Sequence, residues 1–316
     1  METLEVSYSL AQEKDYQQVM KICSSSDYNG LDYLGACYHR WLKEPERLVF
    51  IAKIQERVVA LESVLLVDGG HTVLLQGFRV VPDLRGKGVG KALQSHVMAQ
   101  VRLHYPEVSV LRLSRMGPVT PATLDKYRVV AKEAIFSLCC EASDLRSFVA
   151  ELRSKFPASL SSHDPLTLTE AQAETLVLSH QVVSNLLPAG TIINDWEPLK
   201  PLESNLELLR RRRLTWIVDR QHEPSALSLG TPPYAVPYRH DALRININTF
   251  GRCLDSVFSV LVAQLEALLP TLQGFVIVYN YVDPSVWSGL RQLCENKSNV
   301  GFFKNYWEVV VLEEDL

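Results

Sequence analysis

Residues 85–91 read Arg-Gly-Lys-Gly-Val-Gly-Lys, three glycines at alternate positions with three cations among them. Glycine lets a backbone turn with positive φ and brings its N–H groups close to a ligand with no Cβ in the way. A strand-like run, Val73 to Val81, comes before this turn, and a helix-like run, Lys91 to Leu103, follows it. The first N–H groups of a helix have no acceptor within it, so this order of elements builds an anion site suited to phosphate.

Two better-known phosphate loops do not fit. Glycines at 86, 88 and 90 miss the G-x-G-x-x-G spacing, and the Gly-Lys-Ser/Thr of a P-loop is absent. The preceding strand is expected to pair with Arg57 to Val67 through Asp68-Gly69-Gly70-His71, as a hairpin with a two-residue Gly-Gly turn. An antiparallel hairpin feeding the loop is not a dinucleotide-binding βαβ unit.

Several elements must position this loop. Leu4 to Leu10 alternates like a strand, Ala11 to Cys23 and Asp32 to Leu42 read as helices, and Arg47 to Ile54 is a strand. After the loop, Val108 to Ser114 is a strand, Thr120 to Lys132 a helix with Pro121 at its start, and Ala134 to Cys140 a strand. A linker-like stretch, Phe156 to Pro165, divides the chain into expected domains 1–155 and 166–316. The second half repeats the scheme loosely. Glu170 to Leu186 is helical, and Leu214 to Val218, Ala226 to Leu229 and Ala242 to Phe250 are strands. Helix Asp255 to Leu269, strand Gly274 to Tyr281, helix Ser285 to Glu295 and strand Trp307 to Leu312 complete it. Gly251-Arg252-Cys253-Leu254 stands where a second phosphate loop would be, too short and glycine-poor to cradle one, so only the first half is expected to bind a cofactor.

The chain has 316 residues, 47% hydrophobic, with a net charge of −4. That is enough for two domains, and nothing in the charge suggests a nucleic-acid or anionic-membrane partner. Six cysteines without regular spacing point to reduced thiols and a cytoplasmic location, with Cys139-Cys140 read as core residues. The acidic start and the lack of a long uninterrupted apolar run argue against a secretory signal or membrane span. The eight histidines form no metal pattern, so no metal is expected. The run Arg210 to Arg213 is read as a solvated segment.

The loop, with its preceding Val80-Val81-Pro82-Asp83 and the order of elements over residues 1 to about 150, resembles the GNAT superfamily of N-acetyltransferases. The resemblance implies an α/β (α+β) fold, a mixed and mostly antiparallel twisted sheet flanked by helices, in tandem with a degenerate second copy. It also implies acetyl-CoA as co-substrate. Carried over, Phe78, Arg79 and Val80 lend backbone contacts to the pantetheine arm. Arg85, Gly86, Lys87, Gly88, Val89, Gly90 and Lys91 hold the diphosphate. Tyr127 corresponds to the superfamily tyrosine that faces the CoA sulfur and acts as general acid. The asparagine often found at the start of that helix is absent, as is the usual Gly-Phe after it.

A base must take a proton from the attacking amine. Glu62, in an otherwise apolar strand and paired opposite Gly77 by a Gly-Gly turn, is one candidate, desolvated enough to raise its pKa. It also reads as an edge glutamate facing water, and a water chain is a third option. Asn29 to Leu34, Trp41 to Pro45 and Leu187 to Pro198 resemble the vertebrate histidine N-acetyltransferase family over nearly the whole chain. That implies transfer of acetyl to the α-amino group of L-histidine, a small-molecule amino-acid substrate. Tyr33, Tyr38, Asp195, Tyr238 and Arg239 are the candidates to hold it, Asp195 at the imidazole and Arg239 at the carboxylate. Two alternatives remain open, an acyl-CoA-binding or sensing protein with weak catalysis, and an acetyltransferase for another amino acid or a peptide N-terminus. The chain is expected to be a monomer or homodimer.

Overall fold

The computed structural model describes residues 5–154, 164–295 and 299–316. The linker-like stretch at 156–165 lies almost wholly outside the described residues. The chain divides into two compact units. The first holds residues 1–113, 236–240 and 313–316, and the second holds 114–235 and 241–312. The division therefore falls at 113/114, inside a strand, and not at the linker.

In the first unit β1 (Val6–Leu10), α1 (Tyr16–Val19), α2 (Leu34–Trp41), β2 (Arg47–Ile54), β3 (Arg57–Val67), β4 (Thr72–Val80), α3 (Val89–His104) and β5 (Val110–Met116) come in order. The strands lie β1-β2-β3-β4-β5, antiparallel except for the parallel pair β4–β5 that α3 connects. Helix α3 forms because Val89, Leu93, Val97 and Val101 recur every fourth residue and are all buried, while Arg102 and His104 complement the dipole in its last turn. The expected helix over Ala11 to Cys23 is only one α-helical turn after a 3₁₀ turn at Glu13–Asp15. The β3–β4 connection is a 3₁₀ turn at Asp68–Gly70 in which all three residues have positive φ, and the last ladder pair is Val67 with Thr72. The loop is thus longer than the expected two-residue turn, although the register is the one that turn would have set.

The second unit contains α4 (Pro121–Leu124), β6 (Arg128–Glu141), α5 (Ala142–Ser154), β7 (Leu166–Thr167), α6 (Glu170–Val177), α7 (His180–Asn185), β8 (Ile192–Asn194) and β9 (Glu197–Leu199). These lead to α8 (Glu203–Arg211), β10 (Thr215–Val218), β11 (Leu227–Gly230), β12 (Tyr234–Ala235), β13 (Leu243–Phe250), α9 (Leu254–Leu268), β14 (Phe275–Val282), α10 (Pro284–Cys294) and β15 (Glu308–Asp315). Its strand order is β15-β6-β14-β13-β11-β10-β7, with β13–β14 parallel and joined by α9. Each unit thus carries a parallel strand pair spanned by one long helix. The core of the second unit surrounds α9, whose Val257, Val260, Leu261 and Leu265 meet Ile217, Ile245 and Ile247. By length and composition, the α9 region Leu254–Thr271 could also cross a membrane, although 56% of it is buried inside the protein.

Two expectations fail here for local reasons. Thr120–Lys132 is not one helix. It stops at Leu124, and the β-branched Val129 and Val130 already belong to the 14-residue strand β6. Arg210 to Arg213 is not a solvated run either, because Arg212 is buried and donates through Nε to Glu197 at 2.7 Å.

Candidate active site

The glycine loop turns tightly and leaves a row of donors open. Gly86 and Gly88 have φ of 75° and 87°, and a Cβ built on either would meet nothing within 4 Å. Gly88 is the N-cap of α3 and, lacking a side chain, caps nothing; the first backbone bond of the helix runs from Ala92 N–H to Gly88 O at 2.9 Å. Among the described residues, the N–H groups of Gly86, Gly88, Val89, Gly90 and Lys91 have no protein acceptor. Gly90 serves a different purpose, since a Cβ there would lie 2.7 Å from the Phe78 ring. These features border a cavity of about 570 Å³ lined by Cys23, Tyr28, Phe78, Arg79, Arg85 and Lys91, among others. Open donors around left-handed glycines with empty space above them fit a diphosphate.

The edge of β4 opens beside this cavity. Its ladder with β5 ends at Leu75 and Leu113, yet β4 runs on to Val80. On its other side β4 bulges. Leu61 faces Arg79 and Ser63 faces Gln76, so Glu62 stands opposite both Gly77 and Phe78. A bulge twists the strand and re-aims the residues beyond it. Gly77 makes it possible, with φ at 76° and the Trp41 ring 2.9 Å from any Cβ. Val81 N–H bonds back to Val59 O at 2.9 Å, so strand alternation turns the polar groups of Val80 toward the open edge. The Val80 carbonyl there accepts from Arg85 Nε at 3.0 Å. Arg85 is also committed elsewhere, through an ion pair to Asp27 at 2.8 Å. Ser24 and Arg85 hold the Asp27 carboxyl below its ordinary value.

Glu62 is not an edge glutamate facing water. It is 1% exposed, lies on the α3 side, accepts from Gln94 Nε2 at 3.1 Å through Oε1, and leaves Oε2 without a partner. Burial pushes its carboxyl up to about 7, opposed by the Gln94 hydrogen bond. It does not line the cavity. Tyr127 belongs to the second unit and stands in the turn before β6, its N–H on Thr123 O at 2.8 Å and its ring 4.9 Å from the Lys126 ammonium.

The candidate substrate residues separate. Tyr38 is wholly buried and donates to Gln12 O at 2.8 Å, a packing role that removes it from the substrate set. Tyr33 stands at the Arg79 guanidinium, 5.7 Å from ring centre to carbon. Tyr238 and Arg239 return to the first unit with segment 236–240, where Tyr238 N–H bonds Gly30 O at 2.8 Å; Arg239 remains exposed. Asp195 has φ of 43°, and its N–H is held by Asn248 Oδ1 at 3.0 Å in the second unit.

Sequence reasoning missed the Arg79 side chain. It donates to Asp32 at 2.8 and 3.1 Å and to Gly77 O at 3.1 Å. Burial opposes its charge, but Tyr33, Tyr28 and Asp32 keep it protonated. The isolated arginine in a strand was a usable signal, but its partner lies 47 residues away. A second buried carboxyl, Glu133, belongs to no motif that would have marked it. Burial pushes it up to about 8, opposed by its hydrogen bond from Asn248. A carboxyl raised in the folded state is stabilising while protonated. That contribution is complete below the unfolded value of 4.5 and is lost as pH rises through about 8. Glu133→Gln should therefore match the wild type at pH 4 and exceed it by several kcal/mol, at most about 5, at pH 9. Urea titrations at both pH values check this, and a pH-independent difference would remove Glu133 as the cause.

Two family models match the chain: "Histidine N-acetyltransferase, C-terminal" over residues 161–283 and "Acetyltransferase (GNAT) family" over 15–114. A histidine N-acetyltransferase from Scomber australasicus is 36% identical, the alignment covering 98% of this chain and 94% of that protein. A human protein named probable N-acetyltransferase 16 is 38% identical, covering 98% of this chain and 86% of its own length. Among solved structures, a tandem GNAT protein from the clavulanic acid biosynthesis pathway superposes with a TM-score of 0.51 over 98% of both chains, at 14% identity, which speaks to fold alone. With the GNAT fold in place and relatives above 35% identity along nearly its whole length, the chain belongs to the histidine N-acetyltransferase family of GNAT N-acetyltransferases.

Proposed function

We propose that this protein transfers the acetyl group of acetyl-CoA to the α-amino group of L-histidine, giving Nα-acetyl-L-histidine and CoA. The observation that carries the reading is the open row of N–H donors at residues 86–91 beside the unpaired edge of β4. Bound there, acetyl-CoA supplies a thioester carbonyl that an amine can attack directly. The N–H groups of Gly86 and Gly88 to Lys91 hold the diphosphate, with Lys87 and Lys91 adding charge. The open edge at Phe78 to Val80 orients the pantetheine arm and offers a fixed N–H to the carbonyl oxygen. Glu62, reached through water, accepts the proton that the amine must lose, and its raised pKa suits that task. The resemblance to the superfamily tyrosine assigns Tyr127 the proton that the departing sulfur takes up.

The second unit is proposed to be a degenerate copy that binds no cofactor. At its corresponding strand-to-helix turn, a Cβ on Gly251 would lie 2.5 Å from Ser225 O, so protein backbone fills the space that stays open above Gly88. The cysteines among the described residues are thiols and form no disulfide, which suits the reducing cytoplasm.

A CoA-release assay with acetyl-CoA and each of the twenty amino acids and several peptides tests the reaction. Turnover with histidine above all others supports it. Turnover above all with another amino acid or with a peptide would make that amine the acceptor instead. Binding without turnover would leave only a sensing protein. Tyr127→Phe should lower kcat about 100-fold with little change in the acetyl-CoA KM, the range typical of losing a general acid. Steady-state kinetics decide it, and an unchanged kcat removes Tyr127 from the chemistry.

A further inference from the structure

We infer that the Arg79 side chain is the carboxylate clamp for the acceptor amino acid, its Nη2 donating into the cavity from a nest of Asp32, Tyr28 and Tyr33. This deepens the proposed acetyl transfer and rests on it. Arg79 is 4% exposed, and two of its three nitrogens are satisfied within the protein: Nε by Gly77 O, and Nη1 by both carboxylate oxygens of Asp32. Nη2 is buried with no hydrogen-bond partner. A buried guanidinium donor is destabilising unless something accepts from it. Arg79 lines the same cavity as the glycine loop, together with Tyr28 and Cys23.

The neighbours narrow the ligand. The guanidinium carbon lies 5.0 Å from the Tyr28 ring centre and 5.7 Å from that of Tyr33, so rings flank it and Asp32 holds it from one side. Asp32 itself is fixed, its Oδ1 also accepting from Leu34 N–H at 3.0 Å. The guanidinium therefore cannot swing away to solvent, and the two N–H groups of Nη2 have fixed directions. An oxygen acceptor carrying charge is the best partner for such a donor. In a free amino acid the carboxylate is one carbon removed from the α-amino group. Anchoring the carboxylate at Arg79 Nη2 thus keeps the nucleophile beside the main chain of Phe78 to Val80, where the thioester is proposed to lie. A peptide N-terminus presents an amide in place of that carboxylate and gains less from the clamp, so the same contact would select free amino acids.

The first test uses the unaltered protein. L-Histidine, histidinamide and histamine are compared as acceptors at saturating acetyl-CoA. Loss of a charge-assisted hydrogen bond predicts that kcat/KM falls about 100-fold from histidine to either carboxylate-free amine. Equal kcat/KM for histidine and histamine, with histidine turned over, overturns the clamp and leaves the acetyl-transfer reading standing. If another free amino acid is the better acceptor, its decarboxylated amine and its amide replace these analogues. No turnover of any amine overturns both readings. The second test is Arg79→Lys, which keeps the charge beside Asp32 but loses the fixed fork. KM for histidine should rise about tenfold or more, the acetyl-CoA KM should stay nearly unchanged, and discrimination against histamine should shrink. Uniform loss of kcat toward every amine, with discrimination intact, would instead make Arg79 a general support of the thioester site and sink the clamp.

Discussion

Gly88→Glu is expected to abolish acetyl-CoA binding while the protein still folds. Gly88 sits at φ 87°, and a Cβ there would touch nothing within 4 Å. The fold therefore bears only the cost of a left-handed L residue, about 1–2 kcal/mol. Ligand binding bears much more. The new side chain would enter the space above the open N–H groups and set a carboxylate where a diphosphate must lie. Loss of two charge-assisted hydrogen bonds plus like-charge repulsion amounts to about 4–6 kcal/mol, or roughly a thousandfold or more in Kd. Calorimetric titration with CoA, alongside a thermal melt to show folding, measures both effects. Gly88→Asn is the control. Asparagine tolerates the left-handed region and brings no charge, so it should lose far less affinity. Wild-type affinity in Gly88→Glu would show that the diphosphate binds elsewhere.

Arg112→Met should cost about 3–5 kcal/mol of stability, the usual loss when a buried ion pair is broken from one side. Arg112 is 1% exposed at the parallel β4–β5 junction. Its Nε lies 2.6 Å from Glu313 and its Nη1 lies 3.0 Å from Asp68, both buried carboxylates. Methionine fills much of the volume, so the loss is electrostatic. Two carboxylates would face each other without this cation. Converting both partners to amides in the Arg112→Met background should recover most of the loss. Urea denaturation of the single and triple variants reads this directly. A single variant as stable as the wild type would mean that the triad contributes no net stability. The consequence reaches function, because β5 pairs with β4 just before the strands part beside the cavity.

Much of the first unit was legible from its residues. β2 and β3 begin and end where their nearly continuous apolar runs do. The Gly86-Lys87-Gly88 turn is local chemistry, because left-handed glycines need no distant partner to leave N–H groups open. Shorter elements were less legible. The helix expected over Ala11 to Cys23 yielded to a single turn, and α5, which comes directly after β6, was not foreseen. Tyr38 had the right residue type for a substrate contact, yet its hydroxyl goes to a backbone carbonyl 26 residues away.

β13 shows the same limit within one strand. Leu243 to Phe250 alternates apolar and polar residues, a pattern that usually puts one face in water. Here Arg244, Asn246 and Asn248 are all buried, with Tyr281 accepting from Arg244 Nη2 at 3.1 Å and Glu133 from Asn248.

Residue type and spacing alone determined where this protein can cradle a phosphate, since φ and an N–H direction are settled within a few positions. Only the tertiary structure decided which charges became tools. Arg79 owes its orphaned donor to Asp32 and two tyrosines brought from another part of the chain, and Glu62 owes its raised pKa to a helix laid over it. Solvation and partnership belong to contacts across tens to hundreds of residues, and local pattern carries no record of them.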